Sequence, residues 1–590
     1  MISDLRRPQL FSLLCRSTSA YIYRHCTYWQ HTNPSHYHKV EKMGVETEVV
    51  SVPATPTAAS TPPFTVPQSP LKPTAPPSSA SSPFHCPISA PPSSFQYSPS
   101  MSRSPFLARI SSAAASRFSF SGNATPVRSS PMRKVIINMK SYLEEVGHLT
   151  RLDPQDAWLP ITESRNGNAY YSTFHNLSAG IGFQALILPL AFTFLGWKWG
   201  IMSLSAFYIW QLYTLWILTQ LHESVPGTRY NRYIQLAMAA FGPKLGLCLT
   251  KFPIMYLSAG NCTALILIGG GTMKLFFRVV CGNSCQSRPL STVEWYLVFL
   301  CLALVLAQLP NLNSIAGISL VGAITAVSYC TLIWVISVSK HRPQDISYQP
   351  LKGENDAATV FSLLNALGVV AFSFRGHNLV LEIQATMPST LKHPASVPMW
   401  KGVKVAYLLI AFCLFPLAIG GYWAYGNLIP RSGILYALHE FHSHDTSRAL
   451  LGLTTLMVVI NCLSTFQIYA MPVFDNLESS YTFRTNRPCP WWLRSGIRVF
   501  FASVAFFIAN ALPFLTSLAG LLGGISLPVT LAYPCFMYNI IRKPEKYSPT
   551  WYLNLGLGVV GMVLSFLLIT GGIWSIVDTC HNFHFFKPQQ

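Results

Sequence analysis

The chain has 590 residues, 50% of them hydrophobic and only 11% charged, with a formal net charge of +20. Apolar runs long enough to cross a hydrocarbon core of roughly 30 Å recur from residue 169 onward, which excludes a soluble enzyme and implies an all-α polytopic membrane protein. The positive charge is spread over short loops and a Pro/Ser-rich tail, with no basic recognition helix and no zinc spacing, so it argues for cytoplasmic membrane loops and against nucleic acid.

Residues 1–131 are rich in Pro, Ser, Thr and Ala and are expected to form a disordered cytosolic tail, because they cannot bury enough apolar surface to offset ordering entropy. Within them Met43 opens a stretch of different character, MGVETEVVSVPATP, so Met43 reads as the usual start and residues 1–42 as an atypical extension. Ser-Pro and Thr-Pro pairs, among them Thr55, Ser69, Ser98 and Thr125, are candidate kinase sites, and plain linker composition is the alternative. Residues 132–168 form a juxtamembrane segment. There Val135, Met139, Leu143, Val146 and Leu149 share one helical stripe beside Arg133, Lys134 and Lys140. An amphipathic helix over 132–150 follows, lying either on an anionic lipid leaflet or on the protein's own cytoplasmic face.

Eleven transmembrane helices are expected in a transmembrane domain over 169–577, at 169–195, 201–221, 247–272, 293–309, 314–338, 359–384, 404–425, 450–473, 496–511, 516–539 and 552–576. A small excess of Lys and Arg on one set of loops puts the N-terminus in the cytoplasm, and an odd helix count then puts the short tail 578–590 outside. The loop holding Cys281 and Cys285 faces outward in this topology, where a disulfide and two free thiols are both open. Cysteines inside apolar runs, such as Cys262, Cys330 and Cys462, act as small hydrophobes.

The first and sixth helices are interrupted in matching ways. The first contains SAGIGFQALILPLAF, with Gly180, Gly182 and Pro189, and the sixth runs through FSFRGHNLVLEIQATMPST (372–390). Charge at membrane depth costs at least ~2.5–3.5 kcal/mol per residue, so Arg375 and Glu382 mark a pathway or a site. The two helices open two successive groups of five, and broken helices at corresponding positions point to a transporter's central site. Glycine as a packing residue is the competing reading. An unwound stretch frees N–H groups for an α-carboxylate and carbonyls for an ammonium, so an amino acid zwitterion fits such a break.

The candidate substrate-binding residues are therefore Gly180, Ile181, Gly182, Phe183 and Gln184 in the first break and Arg375 and Gly376 in the second. Tyr256 and Asn261 of the third helix and Ser464, Thr465 and Tyr469 of the eighth join them, unless their polar groups serve only as interhelical hydrogen bonds. Arg375 is expected to bind an acidic side chain, repel a basic one, or pair with Glu382. His377, of a residue type with an unperturbed pKa of ~6.5, is the candidate for proton coupling, with a structural role at the break as the alternative. Glu382 either carries the proton from a vestibule or pairs with a loop lysine. Asp475 and Glu478, read as ending the eighth helix at the cytoplasmic face, are candidate gate charges. The intramembrane histidine lacks the nucleophile, base and orienting group of a catalytic site, so no enzyme is expected.

The runs WLPITESRNGNAYYSTFHN (158–176), GHNLVLEIQATMPST (376–390), PMWKGVKVAYLLIAFCLFPLAIGGYWAYGN (398–427) and FQIYAMPVFDNLE (466–478) resemble the plant amino acid/auxin permease family, in its lysine/histidine transporter-like branch. The resemblance covers about residues 132–590. It implies two inverted five-helix repeats of the amino acid–polyamine–cation transporter type plus one extra helix. It also implies proton-coupled amino acid import across the plasma membrane by alternating access, with amino acid, protons and membrane lipid as partners and neither cofactor nor metal. The chain departs from the family pattern at two places: Gly182-Phe183-Gln184 stands where relatives carry a GAG-like triplet, and Arg375 where they carry a small residue. A related solute (auxin, GABA or an amino acid conjugate) and a non-transporting amino acid sensor are the other readings.

Overall fold

In the computed structural model of the chain, residue 156 and residues 158–282, 290–390, 393–512 and 515–581 are described. The tail 1–131, the amphipathic stripe 132–150, Cys285 and residues 582–590 lie outside them. The described residues form helices and contain no strand, as the apolar periodicity predicts.

Two helices open the fold, α1 (Ala169–Gly180) and α2 (Phe183–Leu221). They are followed by α3 (Tyr233–Phe241), α4 (Pro243–Cys281), α5 (Thr292–Ala307) and α6 (Ala316–Ser339). The second group is α7 (Asp356–Phe372), α8 (His377–Ala385), α9 (Ser396–Tyr425), α10 (Ile434–His442) and α11 (Arg448–Thr485). The chain closes with α12 (Trp491–Ala511), α13 (Leu515–Leu527), α14 (Tyr533–Arg542) and α15 (Pro549–His581).

Among the described residues nine helical segments are long and apolar enough to cross a membrane, and α5 is apolar but shorter. The segment α2 is two limbs. Gly196 breaks it with φ +67°, a left-handed conformation that a residue with a Cβ adopts only under strain. The expected first and second spans therefore meet within α2. Other expectations need extending: the third span runs to Cys281, the seventh begins at Ser396 and the eighth continues to Thr485. Backbone hydrogen bonding carries a helix past the end of its apolar run wherever the added residues tolerate it. The helices α3 and α10 were not expected, because nine residues of mixed polarity give too short a pattern to register.

The core forms where α11 packs along α4 and α6, and where α7, α13 and α15 pack together. Between α13 and α14 the chain makes one π-turn, Pro528–Ala532, in which the Tyr533 N–H reaches back to the Pro528 carbonyl. The Val529 carbonyl thereby loses its helical donor, and the buried Tyr233 hydroxyl of α3 supplies one at 2.7 Å. Tyr233→Phe is expected to leave that carbonyl unpaired in the core, at a cost of ~1–3 kcal/mol. The apparent unfolding temperature of the purified protein should fall accordingly; an unchanged value would show that the hydroxyl contributes nothing.

Candidate substrate site

Each break has a local cause. Ile181 leaves the helical region (φ −112°, ψ 116°) and its N–H closes on the Leu177 carbonyl, ending α1; Gly182 then caps α2. At the second break α7 ends at Phe372, and α8 restarts at His377 behind Gly376, whose φ of +129° selects glycine.

Carbonyls released at a break cannot stay unpaired in an apolar interior. Side chains of α2, α6, α9 and α11 satisfy them. Thr465 donates to the Ser178 carbonyl (3.0 Å), and the Tyr469 hydroxyl to that of Ala179 (3.1 Å). Gln184 closes on the Gly180 carbonyl (2.6 Å), and Tyr329 of α6 donates to Gly182 (3.0 Å). Across the second break, Gln211 of α2 donates to Ala371 (2.7 Å) and Tyr407 of α9 to Phe374 (3.0 Å). Ser464 fastens α11 further, donating to the Ile318 carbonyl (2.8 Å) and standing 3.2 Å from the Ser178 hydroxyl.

Arg375 joins the two breaks. The residue is 2% exposed, and its guanidinium donates through Nε to the Ala179 carbonyl (3.2 Å) and through Nη1 to the Asn261 side-chain oxygen of α4. The rings of Phe183, Phe372 and Tyr469 surround it at 4.9, 5.1 and 4.8 Å. The pairing of Arg375 with Glu382 does not form, because the arginine turns toward α1 and α4 while Glu382, two turns along α8, lies toward Arg232 and Asp475. Nor does Glu382 pair with a described lysine. It is 6% exposed and makes no ion pair among the described residues.

His377 is fully buried and faces the second limb of α2. Its Nε2 lies 3.0 Å from both the Gln211 carbonyl and the Thr214 hydroxyl, and since a carbonyl only accepts, Nε2 carries the hydrogen. Nδ1 has no partner. Further along, Gln384 donates to the Thr219 carbonyl (3.2 Å), and Arg229 donates to the carbonyls of Gln384 (2.9 Å) and Met387 (2.6 Å). The whole length of α8 is thus fastened to the second limb of α2 and the loop after it.

Charges gather at one end of the bundle. Arg232, at the start of α3, meets Asp156 at 2.8 Å and Asp475 at 2.5 Å, with all three nearly buried. Burial alone would lower the Arg232 pKa, but the two carboxylates outweigh it and hold it above its ordinary value. Asp475 also accepts from the Ile161 N–H (3.3 Å). Glu478 meets Arg494 at 2.9 Å and Arg498 at 3.8 Å. The expectation that Asp475 and Glu478 end the eighth helix is corrected: α11 continues to Thr485, and the carboxylates are accommodated within it because each has an arginine partner.

Gly180, Ile181, Gly182, Phe183, Gln184, Asn261, Arg375, Ser464 and Thr465 converge on one buried region, with Gly376 on the chain beside it. Tyr256 stands apart, stacking on Phe252 of its own helix at 5.7 Å. Five residues of α-helix separate it from Asn261 and turn it about 140° away. Tyr329, Tyr407 and Gln211 belong to the region and were not anticipated; their one signal in sequence is a polar group inside an apolar run.

Residues 165–577 match the family described as transmembrane amino acid transporter protein. The chain is 59% identical over 544 residues to lysine histidine transporter-like 8 of Arabidopsis thaliana, covering 92% of this chain and 99% of that protein. It is 42% identical to lysine histidine transporter-like 7 of the same plant, covering 74% of this chain and 90% of the relative. Lysine histidine transporter-like 1, also from that plant, is 37% identical, with 75% and 95% covered. All three relatives are named as transporters, a class without enzymatic activity.

Proposed function

The chain belongs to the transmembrane amino acid transporter family, and on that premise we propose that it is a proton-coupled symporter importing amino acids across the plasma membrane. The observation that carries the reading is the meeting of the two helix breaks, bridged by Arg375, within a bundle of membrane-crossing helices. In this reading the residues around Gly182 and Arg375 hold the substrate and are exposed to the two sides alternately. Arg232 with Asp156 and Asp475, and Glu478 with Arg494, form the cytoplasmic gate in its closed state.

The eleven-span topology is supported by counting the two limbs of α2 separately and adding α5 to the long apolar segments. Cys281, at the end of α4, is disulfide-bonded, which suits an oxidising exterior and a cytoplasmic N-terminus. His377 is the coupling residue of this reading, since its bare Nδ1 offers a buried proton acceptor beside the second break. Glu382, on the same helix as His377, lies toward the gate charges Asp475 and Arg232.

Expression in yeast lacking its own amino acid permeases, with labelled uptake measured at about pH 5 and about pH 7.5, brackets the ordinary histidine pKa. Accumulation is expected to be several-fold higher at the acid pH and to collapse with a protonophore. Uptake indifferent to both would remove proton coupling. His377→Ala is expected to lose uphill accumulation, and if it still concentrates substrate at acid pH the coupling role passes to another group.

A further inference from the structure

We propose that Arg375 makes the site selective for net-anionic amino acids, those with a carboxylate side chain, over neutral and basic ones. This rests on the paired breaks being the substrate site. The guanidinium is buried, and among the described residues it has carbonyl and amide oxygens and aromatic rings against it but forms no ion pair with a carboxylate. A fixed charge at membrane depth calls for a counter-charge, and the described residues do not provide one.

One nitrogen is available to a ligand. Among the described residues Arg375 Nη2 is buried without a hydrogen-bond acceptor, and it points at Gly182, where a Cβ would stand 2.4 Å from it. Gly182 is also the cap of α2, whose first N–H groups have no acceptor within the helix and carry the positive end of its dipole. Two anion-seeking features thus meet at one glycine. Beside them the Gln184 side-chain oxygen, 3.1 Å from the same Cβ position, is buried without a donor among the described residues. This oxygen suits an ammonium. The break carbonyls that would otherwise hold it already accept from Thr465, Tyr469, Arg375, Gln184 and Tyr329.

The charge balance then discriminates. A neutral zwitterion leaves the Arg375 charge uncompensated, a basic amino acid doubles it, and an acidic one cancels it. Two carboxylates also match the two anion-seeking features, one at the helix start and one at Nη2.

Glutamate and glutamine are nearly isosteric and differ in this charge, so they are the decisive pair. With the full-length protein in lipid nanodiscs, labelled glutamate is expected to bind at least about tenfold more tightly than glutamine or lysine. Arg375→Gln is expected to weaken glutamate until the ratio to glutamine is within about threefold, while Arg375→Lys keeps the order of preference. The proposal is overturned if the native protein binds glutamine or lysine as well as glutamate, or if Arg375→Gln leaves the ratio intact. Should Arg375→Gln not fold, the native ratio and Arg375→Lys decide. Proton-driven uptake of neutral amino acids with glutamate excluded would sink this proposal and leave the transport reading standing. Failure of every amino acid to bind or accumulate would sink both.

Discussion

Gly523→Ala is expected to destabilise the bundle by ~3 kcal/mol or more, a large effect for one methyl group. A Cβ at Gly523 would lie 2.0 Å from the Gly368 carbonyl oxygen, and one at Gly368 would lie 2.6 Å from the Gly520 carbonyl. The obstruction in both cases is backbone, which cannot swing aside as a flexible side chain does. The two helices, α7 and α13, must separate or shear to admit the methyl, and overpacking of a tight core typically costs ~1–3 kcal/mol even where side chains can adjust. Since α7 leads directly into the second break, a displaced α7 also moves Phe372 and Arg375. The purified variant should show a lower unfolding temperature and a smaller monodisperse fraction. Gly496→Ala is the control: a Cβ there meets nothing within 4 Å, and an alanine inside a helix is favoured by ~0.5–1 kcal/mol. If Gly523→Ala behaves like Gly496→Ala, the close crossing is wrong.

Arg232→Ala is expected to cost about as much for an electrostatic reason. Removing the arginine leaves Asp156 and Asp475 facing each other at 4% and 2% side-chain exposure without a cation. Breaking a buried pair by deleting one partner costs ~3–5 kcal/mol, because the remaining charge stays desolvated. Here two carboxylates are stranded, with Glu382 near enough to add its own repulsion. Uptake should fall to background, since the helices bearing these groups lose what holds them together. Neutralising the stranded pair separates this account from a simple packing loss. Arg232→Ala combined with Asp156→Asn and Asp475→Asn should recover a good part of the unfolding temperature. A triple variant no more stable than Arg232→Ala alone would show that the guanidinium mattered for its shape and not its charge.

How far the sequence could be read depended on whether a feature was local. Gly180, Gly182 and Gly376 mark the breaks because glycine and charge inside an apolar run are unusual within a few residues of chain. The partners of those breaks were another matter. Tyr329 and Tyr407 look like ordinary interfacial or core tyrosines in their own helices, and their hydroxyls acquire meaning only when folding sets them against Gly182 and Phe374. Arg375 was recognisable as an anomaly, but its target was not. A helix places Glu382 seven residues away on a similar face, yet the non-helical backbone before Gly376 redirects the arginine toward Asn261, a residue more than a hundred positions distant. The end of α11 was misjudged for a related reason: Asp475 and Glu478 look like terminating charges until Arg232, Arg494 and Arg498 are brought alongside.

The fastening of α8 to the second limb of α2 has a mechanical consequence. His377, Gln384 and Arg229 tie these segments at both ends, whereas α1 is tied to α11 through Thr465, Ser464 and Tyr469. The two half-helices that share the site therefore hang from different supports, and any rocking of one support against the other must stretch what spans the gap. Arg375 is such a strap, rooted just before α8 and hooked onto Ala179 and Asn261. In the proposed transport cycle, an occupant that engaged this guanidinium would change the stiffness of the hinge in the same act as it bound, so that recognition and motion would draw on one side chain.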